Sequence, residues 1–384
     1  MTLGRPPVAR HGRVCHEWPV QLSFRRHECQ LARMWAIASR TGPGGGPGTH
    51  AFPVVLVALR DTDGVTGLGE TAPSSRYGEN VDTVRAFLAR VDAARLSFAD
   101  VPGSMAYLDS LSPGDFAAKC ALNTALLDGA GRRAGRLIHE LLGVGFTEGR
   151  HRSSFSIGLD APEVIRDKVA EAARFPILKL KLGGGTDREN LAALRAAAPD
   201  KPVRVDANEA WKTKEEALPE LDWLAGDGRI EFVEQPMPAA TPAADLRWLK
   251  ERSPLPLMAD ESYRFAADLP AVRDGFHAVN VKLVKCGGIS AGLEALRAAR
   301  AAGLKTMLGC MIETSVLITA AAHLAELTDF LDLDGALLTT NDPYRGAVGE
   351  GGRVSFAGVH LPGTGHGAFL AMAGRFLTAS AALP

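Results

Sequence analysis

The segments ILKLKLG (177–183), PVRVDAN (202–208), IEFVEQP (230–236), LPLMADES (255–262) and AVNVKLV (278–284) set the fold of this chain. Each is a strand-like run that ends in a charged residue: Lys181, Asp206, Glu234, Asp260 and Lys282. These residues recur about every two dozen positions, with room for one amphipathic helix in each gap. That is the rhythm of a parallel β/α barrel, whose reactive groups stand at the C-terminal strand ends.

The rhythm holds from His151 onward. SSFSIGL (153–159) precedes the five segments, and KTMLG (305–309) and FLDLD (330–334) follow them, which makes eight strands. The last is followed by an irregular stretch, so the expected architecture is α/β, a modified (β/α)7β TIM-type barrel. Before it, PVVLVAL (53–59), the hairpin signal DTDG and VTGLGE read as two strands, and residues 81–96 and 113–142 read as helices. The expected organisation is an α+β capping domain over 1–145, the barrel over 146–355, and a C-terminal segment, 356–384, that packs back on the cap. The run TGPGGGPGT (41–49) is too rich in Gly and Pro for regular structure. It reads either as a mobile lid beside the site or as an insertion without a role.

The composition narrows the choice of function. A net charge of −1 and a pI near 6.8 leave no footprint for nucleic acid or an anionic membrane. No apolar run reaches the ~18 residues that span a bilayer. The N-terminus has basic residues but no apolar core of a secretory signal. Five scattered cysteines (15, 29, 120, 286 and 310) without a CxxC pair argue for reduced thiols and a cytoplasmic protein. A homo-oligomer stays open.

The strand ends carry the chemistry. Strand periodicity puts Lys179 and Lys181 on one face, pointing into the barrel while the leucines between them face out. Side by side, two ammonium groups should lower each other's pKa, a nearby metal should lower them further, and a neutral general base becomes available. The alternative is an edge strand with two solvated lysines. Asp206, Glu234 and Asp260 end three consecutive strands, and three carboxylates gathered without a cation would repel one another. All-oxygen ligation points to Mg2+, with Mn2+ as a substitute; three unrelated helix caps are the alternative. Lys282 ends the sixth strand and so faces Lys181 across the mouth, with the acids between them. Lys285 competes for that role but falls after the strand. A carbon held between opposed lysines can lose a proton to one face and regain it on the other, which suits racemisation or epimerisation. Asp332 and Asp334 share a face of the last strand and suit a cationic group on the substrate; caps of the irregular segment that follows are the alternative.

These residues resemble the enolase superfamily, muconate-lactonising-enzyme subgroup, and within it the dipeptide epimerases of the L-Ala-D/L-Glu type. The resemblance runs from GLGE (67–70) to PGTGHG (362–367). Its strongest motifs are KLK (179–181), VDANEAW (205–211), EQP (234–236), ADES (259–262) and NVKLVKCGGI (280–289). It implies Lys181 and Lys282 as acid/base catalysts, Lys179 as an electrostatic helper, and Asp206, Glu234 and Asp260 as ligands of one Mg2+. It further implies that Asp332 and Asp334 bind a dipeptide's free ammonium and that Met311 and Ile312, in GCMIET, line the pocket. In some relatives a loop arginine holds a distal carboxylate; Arg40 is the nearest match, with Arg76 as a second candidate. The expected reaction is 1,1-proton transfer at the α-carbon of the C-terminal residue, through an enediolate. The alternatives are N-succinylamino acid racemisation, o-succinylbenzoate synthesis, or a relative that binds a ligand without turning it over.

Overall fold

A computed structural model describes residues 20–38 and 48–357. Arg40, most of the Gly/Pro-rich run and the tail beyond 357 lie outside the described residues, and with them the expectations placed there.

The N-terminal part is an antiparallel sheet of β1 (Gln21–Trp35), β2 (Thr49–Arg60) and β3 (Thr66–Thr71), in that order. The DTDG turn joins β2 to β3 as expected: Asp61 Oδ1 accepts from Asp63 N at 3.0 Å and Val65 N at 2.9 Å. The sequence pattern does not announce β1, because the charged and polar residues of QLSFRRHECQ mask the strand alternation. It lies at the sheet edge, with Leu22 opposite Leu59 and Phe24 opposite Val57.

Four helices follow, α1 (Val81–Leu88), α2 (Val101–Leu111), α3 (Phe116–Ala134) and α4 (Ile138–Leu141). The two helices expected over 81–96 and 113–142 are thus interrupted. The first stops at Leu88, and Asp92 then caps a separate 3-10 turn. The second stops where Gly135 turns left-handed at φ 64°. α3 lies directly on β3 because Gly67 and Gly69 have no side chain. A Cβ on Gly69 would sit 1.8 Å from Ala121 O.

The second part is an eight-stranded parallel sheet in sequence order. Its strands are β4 (Phe155–Ile157), β5 (Leu178–Lys181), β6 (Val203–Asp206), β7 (Ile230–Glu234), β8 (Leu257–Ala259), β9 (Ala278–Val281), β10 (Lys305–Gly309) and β11 (Phe330–Asp332). A parallel bridge between Ser153 and Leu331 brings the ends together into a nearly closed barrel. Helices α5 (Pro162–Glu171), α6 (Asp187–Ala197), α7 (Lys214–Ala225), α8 (Ala243–Arg252), α9 (Leu269–Val272), α10 (Leu283–Cys286), α11 (Ile289–Ala301) and α12 (Ser315–Ala322) follow β4 to β10. After β11 comes only a 3-10 turn, Gly335–Leu338, so the barrel is the (β/α)7β form. The register pairs Lys181 with Asp206 and Asp206 with Glu234, which sets three reactive strand ends at one height.

The sheet domain is tied to the rim of the barrel. Glu70, at the end of β3, accepts hydrogen bonds from Thr314 N (2.7 Å), Leu317 N (3.1 Å) and the Thr314 hydroxyl, and so caps α12. On α3, Asn123 exchanges hydrogen bonds with Ser290 at 2.8 and 3.0 Å. These contacts hold the cap over the strand ends and enclose the cavity between them.

Candidate active site

β5 is a central strand rather than an edge. Leu178 and Leu180 pack outward under the helices while Lys179 and Lys181 point in; Lys179 is 1% exposed. Lys179 Nζ lies 3.0 Å from Asp206 Oδ2, 2.7 Å from Glu234 Oε2 and 2.7 Å from Asp332 Oδ2. Lys181 Nζ donates to Asp206 Oδ2 at 2.5 Å.

Across the mouth, Lys282 follows the sixth strand of the barrel and donates to Asp260 Oδ2 at 2.9 Å. Three strands separate it from Lys181's strand in either direction around the sheet. Its competitor, Lys285, sits on α10 and is fully engaged: its Nζ donates to Asp260 Oδ1 and O (both 2.7 Å), Tyr263 O (2.9 Å) and Asn280 O (3.1 Å). Lys282 lines the cavity and Lys285 does not.

For Lys179 the expected lowering of the pKa is not what these surroundings produce. Burial opposes the charge on Lys179, but Asp206, Asp332 and Glu234 outweigh it and raise the pKa well above the usual lysine range. Lys282 is likewise opposed by burial and raised by Asp260 and Glu234. Carboxylates at under 3 Å simply count for more than a second ammonium farther away.

Asp206, Glu234 and Asp260 are all buried, and one carboxylate oxygen from each lies within 4.8 Å of the others. Asp260 is buried too, yet Lys282 and Lys285 hold it below the usual carboxylate range. Burial, with Asp206 close by, pushes Glu234 up to about 7. Glu234 Oε1 accepts from Asn280 Nδ2 at 2.7 Å, and its buried Oε2 is paired with the Lys179 ammonium at 2.7 Å. Three converging hard oxygens on buried carboxylates fit a divalent cation such as Mg2+.

A cavity of about 910 Å³ opens above the triad between barrel and cap. Lys179, Lys181, Asp260, Lys282, Asp332 and Asp334 face it from the barrel, with Met311 and Ile312 on the β10 side. Trp35, Phe52 and Tyr77 close it from the cap. The aspartate pair is asymmetric. Asp332 is tied to Lys179 and accepts from Ser154 Oγ at 2.8 Å, which keeps it at about 2 although it is buried. Asp334 accepts from Ser156 N at 2.6 Å, and burial next to Asp332 pushes it up to about 7. Arg76 also lines the cavity, but its Nη2 is 2.5 Å from Glu209 Oε1.

Sequence patterning alone does not single out several neighbours of the triad. Asn208 and Glu261 lie two and one residues beyond Asp206 and Asp260, inside the motifs VDAN and ADES, so their position is a usable signal. Burial, then Asp260 and Asp206, push Glu261 up to about 8. Tyr77 leaves no such trace; only the docking of the cap brings it to the cavity.

Residues 47–143 match the family described as Mandelate racemase / muconate lactonizing enzyme, N-terminal domain, and residues 164–367 match Enolase C-terminal domain-like. The chain is 56% identical over 338 residues to an L-Ala-D/L-amino acid epimerase of Pedosphaera parvula, covering 88% of this chain and 96% of that protein. Among solved structures it is similar to a substrate-liganded L-Ala-D/L-Glu epimerase from Bacillus subtilis, with a TM-score of 0.82 and 27% identity, over 90% of this chain and 98% of that one. A dipeptide epimerase from Enterococcus faecalis, complexed with Mg and the dipeptide L-Leu-L-Tyr, superposes with a TM-score of 0.79 at 28% identity, over 90% and 98% of the two chains.

Proposed function

The chain belongs to the mandelate racemase/muconate lactonizing enzyme family of the enolase superfamily, and from that premise we propose that it is a Mg2+-dependent dipeptide epimerase. The observation that carries this reading is the aspartate pair, Asp332 and Asp334, in the same cavity as Asp260 of the acid triad and the two opposed lysines. A free α-ammonium at one end of the substrate and a carboxylate at the other match those two ends of the cavity.

In this reading the substrate's C-terminal carboxylate faces Asp206, Glu234 and Asp260, and its α-carbon lies between Lys181 and Lys282. Bound to the triad, Mg2+ would take up carboxylate charge that otherwise holds the lysines protonated, and would polarise the substrate carboxylate. One lysine, as the neutral amine, accepts the α-proton; the C–H bonding pair moves into the carboxylate to give an enediolate. Lys179 lies among the acids, where its ammonium offsets the second negative charge as it develops. The opposite lysine, as ammonium, then returns a proton to the other face and the configuration inverts. The next turnover in the reverse sense resets both bases.

Near strand β11, the substrate's ammonium meets Asp334, with Asp332 behind it against Lys179. The wall formed by Met311, Ile312, Trp35 and Phe52 excludes water from the peptide. The four described cysteines are unpaired, which supports a reducing, cytoplasmic location, and no helix among the described residues is long and apolar enough to cross a membrane.

A library of free dipeptides incubated in D2O tests the reading. The expected result is deuterium at the C-terminal α-carbon together with inversion. Exchange confined to N-succinyl or N-acetyl amino acids would replace it with acylamino acid racemisation.

A further inference from the structure

Beside the acid triad, two buried oxygens have no hydrogen-bond partner among the described residues: Asn208 Oδ1 and Glu261 Oε2. The residues that carry them face each other, with Asn208 Nδ2 donating to Glu261 Oε1 at 3.4 Å. Asn208 is 4% exposed, and its backbone N–H donates to Asp206 Oδ1 at 3.0 Å. Glu261 directly follows Asp260 in the chain. Both residues line the cavity. They are therefore joined to two of the three acids by short stretches of chain, on the triad's side of the cavity rather than that of Asp332 and Asp334.

Asn208 Oδ1 can only accept, and Glu261 Oε2 accepts as a carboxylate, the form that a cation on the neighbouring Asp260 would favour. The neighbouring cations are engaged elsewhere: Arg76 pairs with Glu209, and Lys212 Nζ donates to Glu209 O at 2.7 Å. The backbone at Asn208 is left-handed, with φ at 44°, a conformation Asn adopts more readily than most residues. The side chain is thus held toward the cavity by its own backbone. A buried acceptor left unsatisfied is costly, so a donor belongs between these two oxygens.

A divalent ion on three carboxylates supplies one. Mg2+ seeks six ligands and gives up its last waters reluctantly. The triad and a substrate carboxylate do not fill six positions with single oxygens, and a water on the ion carries two protons to donate. We propose that Asn208 Oδ1 and Glu261 Oε2 accept the two protons of a water carried by the triad's cation, which makes the pair positioning residues for the metal's solvent ligand. The inference rests on the metal reading above and concerns residues that do not themselves ligate the ion. Partners of this kind orient a metal's direct ligands and influence its affinity.

Mn2+ bound to the full-length protein without substrate provides the test. Its dissociation constant is measured by EPR titration, and its bound water by pulsed EPR in D2O. Asn208→Gly deletes the amide while keeping the left-handed backbone, and Glu261→Gln removes one acceptor with little change of shape. Each variant is expected to bind Mn2+ about tenfold more weakly and to lose intensity in the bound-water deuteron signal. Circular dichroism and a thermal melt establish that each is folded. If an Asn208 variant fails that check, Glu261→Gln decides alone. Affinity within twofold of the parent, or weaker binding with an unchanged water signal, would overturn the proposal and leave the metal reading intact. If the parent protein bound no Mn2+ at all, both would fall.

Discussion

Asp332 Oδ2 lies 2.7 Å from Lys179 Nζ, so half of the aspartate pair at the end of β11 is already bound to a lysine of β5. Among the described residues Asp334 makes no such ion pair; a backbone N–H holds it instead. The pair therefore divides its work, and the two residues should fail differently when changed.

Asp334→Asn should lower kcat/KM for free dipeptides about ten- to a hundredfold, the worth of a charge-assisted hydrogen bond of ~1.5–3 kcal/mol. N-acetyl dipeptides, poor substrates from the start, should lose little. Asp332→Asn should harm both classes, because it releases Lys179 beside the acid triad. Steady-state kinetics on matched free and acetylated substrates would separate these outcomes. An equal loss on both classes for Asp334→Asn would argue against ammonium recognition.

Lys181→Ala and Lys282→Ala should each abolish epimerisation while retaining α-proton exchange with D2O for one stereoisomer, and the two should retain opposite isomers. NMR of each diastereomer in D2O gives the answer directly. Exchange of the same isomer by both variants would exclude a base on each face.

Lys285→Ala should behave as a structural lesion rather than as a lost base. Removing it takes a buried donor from Asp260 Oδ1 and from the carbonyls of Asp260, Tyr263 and Asn280, leaving Asp260 with Lys282 alone, and breaking a buried pair typically costs about 3–5 kcal/mol. Urea denaturation should reveal that loss. A stable variant with the one-sided exchange expected of a missing base would transfer Lys282's role to Lys285.

Exhaustive dialysis against EDTA should remove activity, and Mg2+ should restore it. Glu234→Gln should weaken Mg2+ binding about tenfold or more without unfolding the barrel, as read by calorimetry and circular dichroism. Full activity in protein shown to be metal-free would end the metal reading.

Glu70 links stability to pH. Burial raises its pKa from the usual 4.5 to about 7, against the pull of its hydrogen bonds from Thr314 and Leu317. A raised carboxyl pKa means that the folded state binds the proton more tightly than the unfolded chain. The stability this contributes is complete below pH ~4.5 and is lost as pH rises through about 7, falling by at most about 1.4 kcal/mol per pH step of one between those limits. With Mg2+ saturating, the fall in melting temperature between pH 5 and pH 8 should therefore be smaller in Glu70→Gln than in the parent. An equal fall in both would mean that Glu70 stays ionised in the folded protein.

Much of this molecule follows from the order of its residues. Hydrophobic period and charged strand ends determine the eight strands, the inward direction of Lys179 and Lys181, and the gathering of Asp206, Glu234 and Asp260 at one rim, because strand geometry and barrel closure are short-range rules applied repeatedly. Other features had no local signature. The edge strand β1 is recognisable only through its pairing with β2. Position at the strand end favours Lys282 over Lys285, but that the interior has already claimed the Lys285 ammonium is visible only in the fold. The charge on the lysines, the inequality of Asp332 and Asp334, and the open acceptors of Asn208 and Glu261 all depend on distances between residues far apart in the chain. Electrostatic energies and hydrogen bonds change over a single ångström, and only the closed barrel with its docked cap specifies separations that finely.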